Sequence, residues 1–238
     1  MDNLDDFMTT RAPTAQRPLL GLTVLVVEDS RFACEAVRML CLRSGARIRR
    51  ADTIASARKH LAVYRPTVVI VDLGLPDGSG LALIQSLSQG LPRIDVILAT
   101  SGDDVSEDEV IAAGADGFIA KPIASLAQFQ AAILMHLPPE RQPQGPRLMP
   151  KDQIQPDMLA YRDDLTHVVD VLEQDESPQT LDYVTQFLSG VANSARDRDM
   201  QDVVRRLIAQ RKAGLTARDG LDDLTQMVQT RLSAAAGF

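Results

Sequence analysis

Apolar and polar positions change period once along this chain, near residue 138, and that change divides it. Before it, short apolar runs alternate with amphipathic stretches. Thr23-Val24-Leu25-Val26-Val27 is a β-branched run stopped by Glu28-Asp29, and Phe32, Val37, Leu40 and Cys41 then recur at the spacing of a helix lying against a sheet. A weaker strand at 46–51 follows, then Thr53 as an N-cap and a helix through Ala57 and Leu61. The run Val68-Val69-Ile70-Val71-Asp72 predicts a third strand, buried on both faces, that delivers Asp72 to its C-terminal end and enters the Pro/Gly-rich turn 74–80. Leu81, Leu83, Ile84 and Leu87 mark the next helix, and residues 95–100 the fourth strand. Ser106 and Glu109 have capping-box spacing at the start of a helix that Gly114 ends. Residues 117–120 predict a short fifth strand, Lys121-Pro122 a turn, and 125–137 a last helix. Strand and helix alternating in this way predict an α/β fold, a doubly wound five-stranded parallel sheet over residues 21–137.

Beyond it, Pro138, Pro139, Pro143, Pro146 and Pro150 interrupt any helix, so 138–150 is expected to be an extended linker. Residues 151–238 then carry four one-faced apolar stripes: Met158, Leu165, Val168, Val169 and Leu172; Leu181, Val184, Phe187, Leu188 and Val191; Val203, Val204, Leu207 and Ile208; and Leu221, Leu224, Val228 and Leu232. Ser177-Pro178 fits the cap and first turn of the second of these. The expectation is a separate all-α domain, a small bundle. Residues 1–20, Asp-rich and then Arg/Pro-rich without a period, read as a flexible leader.

Composition changes this picture in four places. The formal charge of -7 offers no general attraction to nucleic acid or anionic membrane. Residues 151–238 hold ten Lys/Arg against fifteen Asp/Glu, and that acidic balance disfavours DNA as a partner. No apolar run approaches a membrane span and the start lacks a secretory signal, so a cytoplasmic location is expected, with no membrane partner. Cys34 and Cys41, seven apart in a helix, lie about 10 Å apart by helical rise, too far for a disulfide, and read as packing.

The candidate chemistry lies where strands end. Glu28, Asp29, Asp72, Thr100, Ser101 and Lys121 converge at one edge of a parallel sheet although they are far apart in sequence. Three carboxylates in one site call for a hard divalent cation with oxygen ligands, most simply Mg²⁺. An aspartate beside that ion can attack a phosphoryl donor, with Lys121 and a hydroxyl of Thr100 or Ser101 meeting the incoming oxygens.

In order, Glu28-Asp29, Asp72 followed by Leu75-Pro76-Asp77-Gly78-Ser79-Gly80, Ala99-Thr100-Ser101-Gly102, Ala113-Gly114-Ala115-Asp116-Gly117-Phe118 and Lys121-Pro122 give residues 21–137 a resemblance to the receiver domain of two-component response regulators. That resemblance implies a phosphoacceptor at Asp72, a switch hydroxyl at Thr100, a phosphoryl partner in Lys121, and Mg²⁺ held by Glu28, Asp29, Asp72 and the backbone carbonyl of Gly74. It implies also a cis Lys121–Pro122 bond, and a domain that catalyses its own Mg²⁺-dependent phosphorylation and dephosphorylation. The spacing from Thr100 to Gly114 is one residue short of the family pattern, which shortens the loop or gives Ser101 a share of the hydroxyl role. Phe118 stands where receivers place a switching aromatic. Asp77 and Gly78 read as turn formers.

The four-helix pattern of 151–238 faintly resembles a histidine phosphotransfer domain, but the Ala-His-x-Leu-Lys-Gly type of segment is missing, so a degenerate docking version is expected. The three histidines are too dispersed for a metal cluster, and no separate enzymatic output is recognised. The functional expectation is a response regulator phosphorylated by a sensor histidine kinase or phosphotransfer protein and signalling through a downstream protein partner of its helical domain, with receiver-mediated homodimerisation left open. The alternatives are phosphorelay through His167 in the helical half and a DNA-binding transcriptional regulator.

Overall fold

A computed structural model describes residues 12–102, 106–145, 149–175, 177–213 and 218–234. Its first half is the expected sheet. Strands β1 (Thr23–Val27), β2 (Arg47–Ala51), β3 (Val68–Asp72), β6 (Val96–Ser101) and β7 (Gly117–Ala120) pair in parallel in the order β2-β1-β3-β6-β7. The two remaining strands, β4 (Gly74–Leu75) and β5 (Gly78–Ser79), form a small antiparallel hairpin just past Asp72, where the sequence shows only turn chemistry.

Alternation along the strands feeds two cores, because successive side chains point to opposite faces. Val24, Val26, Val68, Ile70, Val96 and Leu98 face helices α1 (Arg31–Ser44) and α5 (Leu126–Leu134), where Val37, Leu40, Phe129 and Ile133 are buried. Leu25, Val27, Val69, Val71, Ile97 and Ala99 face the other side, against α2 (Ile54–Val63), α3 (Gly80–Ser88) and α4 (Glu107–Ala112). All five residues of β3 are buried, which is why that run contains no polar residue until Asp72.

Local signals place the helices. Ser30, Thr53, Ser79 and Ser125 each accept a hydrogen bond from a backbone N–H three residues on, capping α1, α2, α3 and α5. The capping box expected at Ser106 does not form: Ser106 caps α4 without a side-chain hydrogen bond. The carboxylates of Glu107, Asp108 and Glu109 in that first turn supply the negative charge a helix N-terminus favours. Asp77, read as a turn former, accepts hydrogen bonds from Ile54 N (2.8 Å) and Ala55 N (2.9 Å), tying the hairpin to the start of α2. Gly80 admits no side chain, since a Cβ there would lie 2.1 Å from the carbonyl oxygen of Asp72.

After a short 3-10 turn at Pro139–Arg141, whose Arg141 pairs with Asp95 at 2.6 Å, the chain returns along the sheet domain. Ile154 donates its N–H to the Ala124 carbonyl, accompanied by a bond from Leu126 N to the Asp152 carbonyl, and its side chain enters the core beneath α5. Ahead of β1, Leu19 is buried in the same core.

Helices α6 (Met158–Gln174), α7 (Pro178–Ala195), α8 (Arg198–Lys212) and α9 (Arg218–Ala234) form the all-α half, a bundle distinct from the sheet. Its core takes Leu165, Val168, Val184, Phe187, Leu188, Val191, Val203, Val204, Leu207, Leu224 and Val228 from the predicted stripes. Met158, 60% exposed at the first turn of α6, and Leu181, half-buried at the start of α7, are the exceptions. Ser177 caps α7 with Pro178 in its first turn, as the sequence indicates. The bundle is seated on the sheet domain through α1: Phe32 projects into the bundle core and meets the Tyr161 ring edge-on at 5.8 Å. Both cysteines are free and buried. Among the described residues no helix is long and apolar enough to cross a membrane.

Candidate phosphoacceptor and metal site

Parallel pairing brings the strand ends to one edge. Asp72 lies opposite Thr100 in the β3–β6 register, and β1 ends immediately before Glu28 and Asp29. One oxygen from each of Glu28, Asp29 and Asp72 falls within 4.8 Å of the others, a buried acidic cluster able to coordinate a divalent cation. Lys121, which precedes Pro122 through a cis bond, has its ammonium 2.7 Å from Glu28 Oε2 and 3.0 Å from Asp72 Oδ2.

The electrostatics fit a missing counter-charge. Burial above all, then Asp72, raise the Glu28 carboxyl well above its ordinary value, although Lys121 opposes them. Burial and Asp72 likewise push Asp29 up to about 7, against Lys121 and a hydrogen bond from Tyr183. Burial disfavours the charge on Lys121, yet Asp72 and Glu28 outweigh it and hold the ammonium above the usual lysine range. One ammonium faces three carboxylates, a charge balance that a hard dication with oxygen ligands would complete.

Thr100 is buried and donates its hydroxyl to the Ile119 carbonyl at 2.7 Å. Ser101 and Gly102 line the small cavity over Asp72, together with Gly74 and Lys121. Phe118, on β7, is partly buried against the second core. His60, His136 and His167 do not gather. His167, exposed on α6, has Nε2 3.2 Å from the Tyr183 hydroxyl. Of the Gly102-Asp103-Asp104 loop, residues 103 and 104 lie outside the described residues, as do the first eleven residues of the leader.

What sequence reasoning missed is the wall of the site contributed by the bundle. Tyr183 donates its hydroxyl to Asp29 Oδ2 at 2.9 Å. Gln186 lies against Gly74, where a Cβ would come within 2.8 Å of its Cδ, and Asn193 donates its amide to the Gly102 carbonyl. Gly190 sits directly under Gly102, whose hypothetical Cβ would stand 2.7 Å from the Gly190 Cα. Positions 183, 186, 190 and 193 share one face of α7, so a second, polar stripe beside the apolar one was the available signal. From α6, Asp164 caps α1 across the interface: it accepts from Ser30 Oγ and Arg31 N at 2.7 Å and from Phe32 N at 3.0 Å.

Comparison with known proteins places these features. Residues 24–133 match the family described as response regulator receiver domain. The KDP operon transcriptional regulatory protein KdpE of Escherichia coli is 30% identical over 114 residues, covering 48% of this chain and 50% of that protein. The probable transcriptional regulatory protein TcrX of Mycobacterium tuberculosis is 37% identical over 105 residues, 43% of this chain and 44% of its own length. Among solved structures, the receiver domain of a Francisella response regulator superposes with a TM-score of 0.43 at 19% identity, over 48% of this chain and 95% of that one. The chain spans about half the length of the curated relatives it matches. These relatives overturn one expectation drawn from charge. DNA cannot be set aside as a partner when the matched proteins are transcriptional regulators, and they favour the transcriptional alternative over protein docking alone. Net charge was the wrong guide, because it averages over faces and says nothing of a local contact.

Proposed function

Residues 24–133 form a receiver domain typical of two-component response regulators, and on that premise we propose that Asp72 accepts a phosphoryl group and that the chain carries the signal into the control of transcription. The observation that carries this reading is Lys121 lying between Asp72 and Glu28 within a buried three-carboxylate cluster. A free Asp72 oxygen attacks phosphorus, the new O–P bond forms as the bond to the donor breaks, and the donor leaves with that electron pair. With a sensor kinase or phosphotransfer protein the leaving group is a histidine imidazole; with acetyl phosphate it is acetate. Lys121 stays protonated throughout and follows the charge from the carboxylate to the phosphoryl oxygens, a stabilisation already in position before reaction.

Glu28, Asp29, Asp72 and the Gly74 carbonyl would hold Mg²⁺, which neutralises charge on the transferring group. The Thr100 hydroxyl, now engaged with Ile119, is the donor that turns to the phosphoryl group, helped by Ser101 in the cavity wall; that turn frees β7 to shift Phe118. The output rests on the relatives named as transcriptional regulators.

Intact-mass measurement after incubation with acetyl phosphate and Mg²⁺ tests the chemistry. Full-length protein is expected to gain one phosphoryl group and Asp72→Asn none; stable incorporation in D72N would sink the assignment. Binding of the phosphorylated full chain to a genomic DNA library, with selection of a discrete sequence, tests the output.

A further inference from the structure

We infer that the Tyr183-to-Asn193 face of α7 is an internal lid that competes with the divalent cation and the phosphoryl group for the mouth of the receiver. This rests on the phosphoacceptor reading and adds how the site is regulated.

Four contacts put the lid in the way. Tyr183 donates into Asp29, a carboxylate of the acidic cluster, and so uses an oxygen of the proposed cation site. Gln186 covers Gly74, whose carbonyl is a proposed ligand. Gly190 and Asn193 close the third side, against Gly102 and within reach of Lys121, whose Nζ would be 3.6 Å from a Cβ on Gly190. What remains above Asp72 is a cavity of about 10 Å³, bounded by Gln186, Phe187 and Gly190 on the bundle side. A single water needs about 10–15 Å³ of such space. A tetrahedral phosphoryl group with a cation that keeps several of its waters does not fit. Nor can a donor protein present an imidazole in line with Asp72 while α7 lies there.

Occupation by the lid and occupation by the phosphoryl group therefore exclude each other, and linkage makes the effect reciprocal. Filling the receiver site drives α7 away, and holding α7 in place suppresses filling. Glycine at 102 is what lets the helix come this close, since a Cβ there would lie 2.7 Å from the Gly190 Cα. A Cβ on Gly190 would stand in ordinary contact with Lys121 Nζ at 3.6 Å, so a side chain as long as leucine is needed there to crowd the mouth.

The test uses the full chain with two lid variants. Gly190→Leu wedges the interface open; Tyr183→Phe removes only the hydroxyl on Asp29 and is the conservative check should the wedge disturb the bundle. Labelling by acetyl phosphate is followed by intact mass, and Mg²⁺ affinity by titration in the absence of donor. Release of a coupled contact is expected to speed labelling and tighten Mg²⁺ binding about fivefold or more in G190L, with a smaller change in the same direction in Y183F. Hydrogen exchange at residues 183–193 should rise when acetyl phosphate and Mg²⁺ are added to the parent protein. Labelling and Mg²⁺ affinity equal to the parent in both variants would overturn the lid and leave the phosphoacceptor standing. Tighter Mg²⁺ binding without label in any variant would keep the lid and remove the phosphoacceptor, and neither change nor label would remove both.

Discussion

Removing the Asp164 carboxylate should loosen the bundle from the sheet domain by an amount that can be worked from its bonds. Helix α1 has no acidic residue in its own first turn, so the negative charge at its N-terminus comes from α6 across the interface. Asp164→Ala strands the Ser30 hydroxyl and the Arg31 and Phe32 amides. A buried donor left without a partner costs about 1–3 kcal/mol, and the lost charge at a helix N-terminus about 0.3–1 kcal/mol more. Two effects limit the sum. Burial raises the Asp164 carboxyl above its ordinary value despite those three bonds, so part of their gain already offsets desolvation. In addition, once the bundle lifts away the stranded amides reach water, so the loss cannot exceed the docking free energy itself. About 3 kcal/mol is expected for D164A, and about half that for Asp164→Asn, which keeps one acceptor oxygen. Urea unfolding of the full-length variants gives the number directly, from midpoint and slope together. A D164A protein within about 0.5 kcal/mol of the parent, the range of an ordinary surface substitution, would show that the bond network does not hold the halves together.

Two further outcomes bear on other parts of the chain. The carboxyls of Glu28, Asp29 and Asp164 are all raised, chiefly by burial, so each binds its proton more tightly in the folded state. The stability these three groups contribute without a divalent cation should therefore be complete below the unfolded carboxylate range near 4 and be lost as pH rises toward about 7, the value for Asp29. Denaturation in chelator at about pH 5 and about pH 7.5 checks the sign, and Asp29→Asn should flatten the difference; a parent protein that gains stability over that interval would contradict it. Phe129, fully buried between α5 and the sheet, should cost about 3–5 kcal/mol on truncation to alanine, and a loss below about 1 kcal/mol would mean that core collapses around the gap.

The sheet and the acidic cluster were legible because local patterns encode them. Continuous apolar runs ending in Glu28-Asp29, Asp72 and Lys121 fix both a strand and where it delivers its last side chain, so a parallel topology alone gathers the site. The bundle's apolar stripes were equally local, apart from Met158 and Leu181, which lie at helix starts where the stripe outruns the core. The Ser106 capping box shows the limit of a two-residue motif, since spacing permits the reciprocal bonds without requiring them. The face of α7 that makes the lid was legible as a polar stripe, but the residues it meets were not. Tyr183 and Asp29 are 154 positions apart, and Asp164 and Ser30 134 apart. Pairing at such separations leaves no periodic trace, and a polar face on an amphipathic helix ordinarily faces solvent.

Phe32 and Ile154 are two residues on the wrong side of the boundary. Phe32 grows from the first helix of the sheet domain yet belongs to the bundle core; Ile154 follows the proline-rich crossing yet belongs to the core of the sheet. Each half thus lends the other a hydrophobic side chain, and neither can be cut out whole. A fragment ending before residue 154 would keep every strand and still carry a hole beneath α5 and an uncovered aromatic on α1. For this chain a run of sequence ending at the prolines is shorter than the stretch whose side chains complete the core of the sheet.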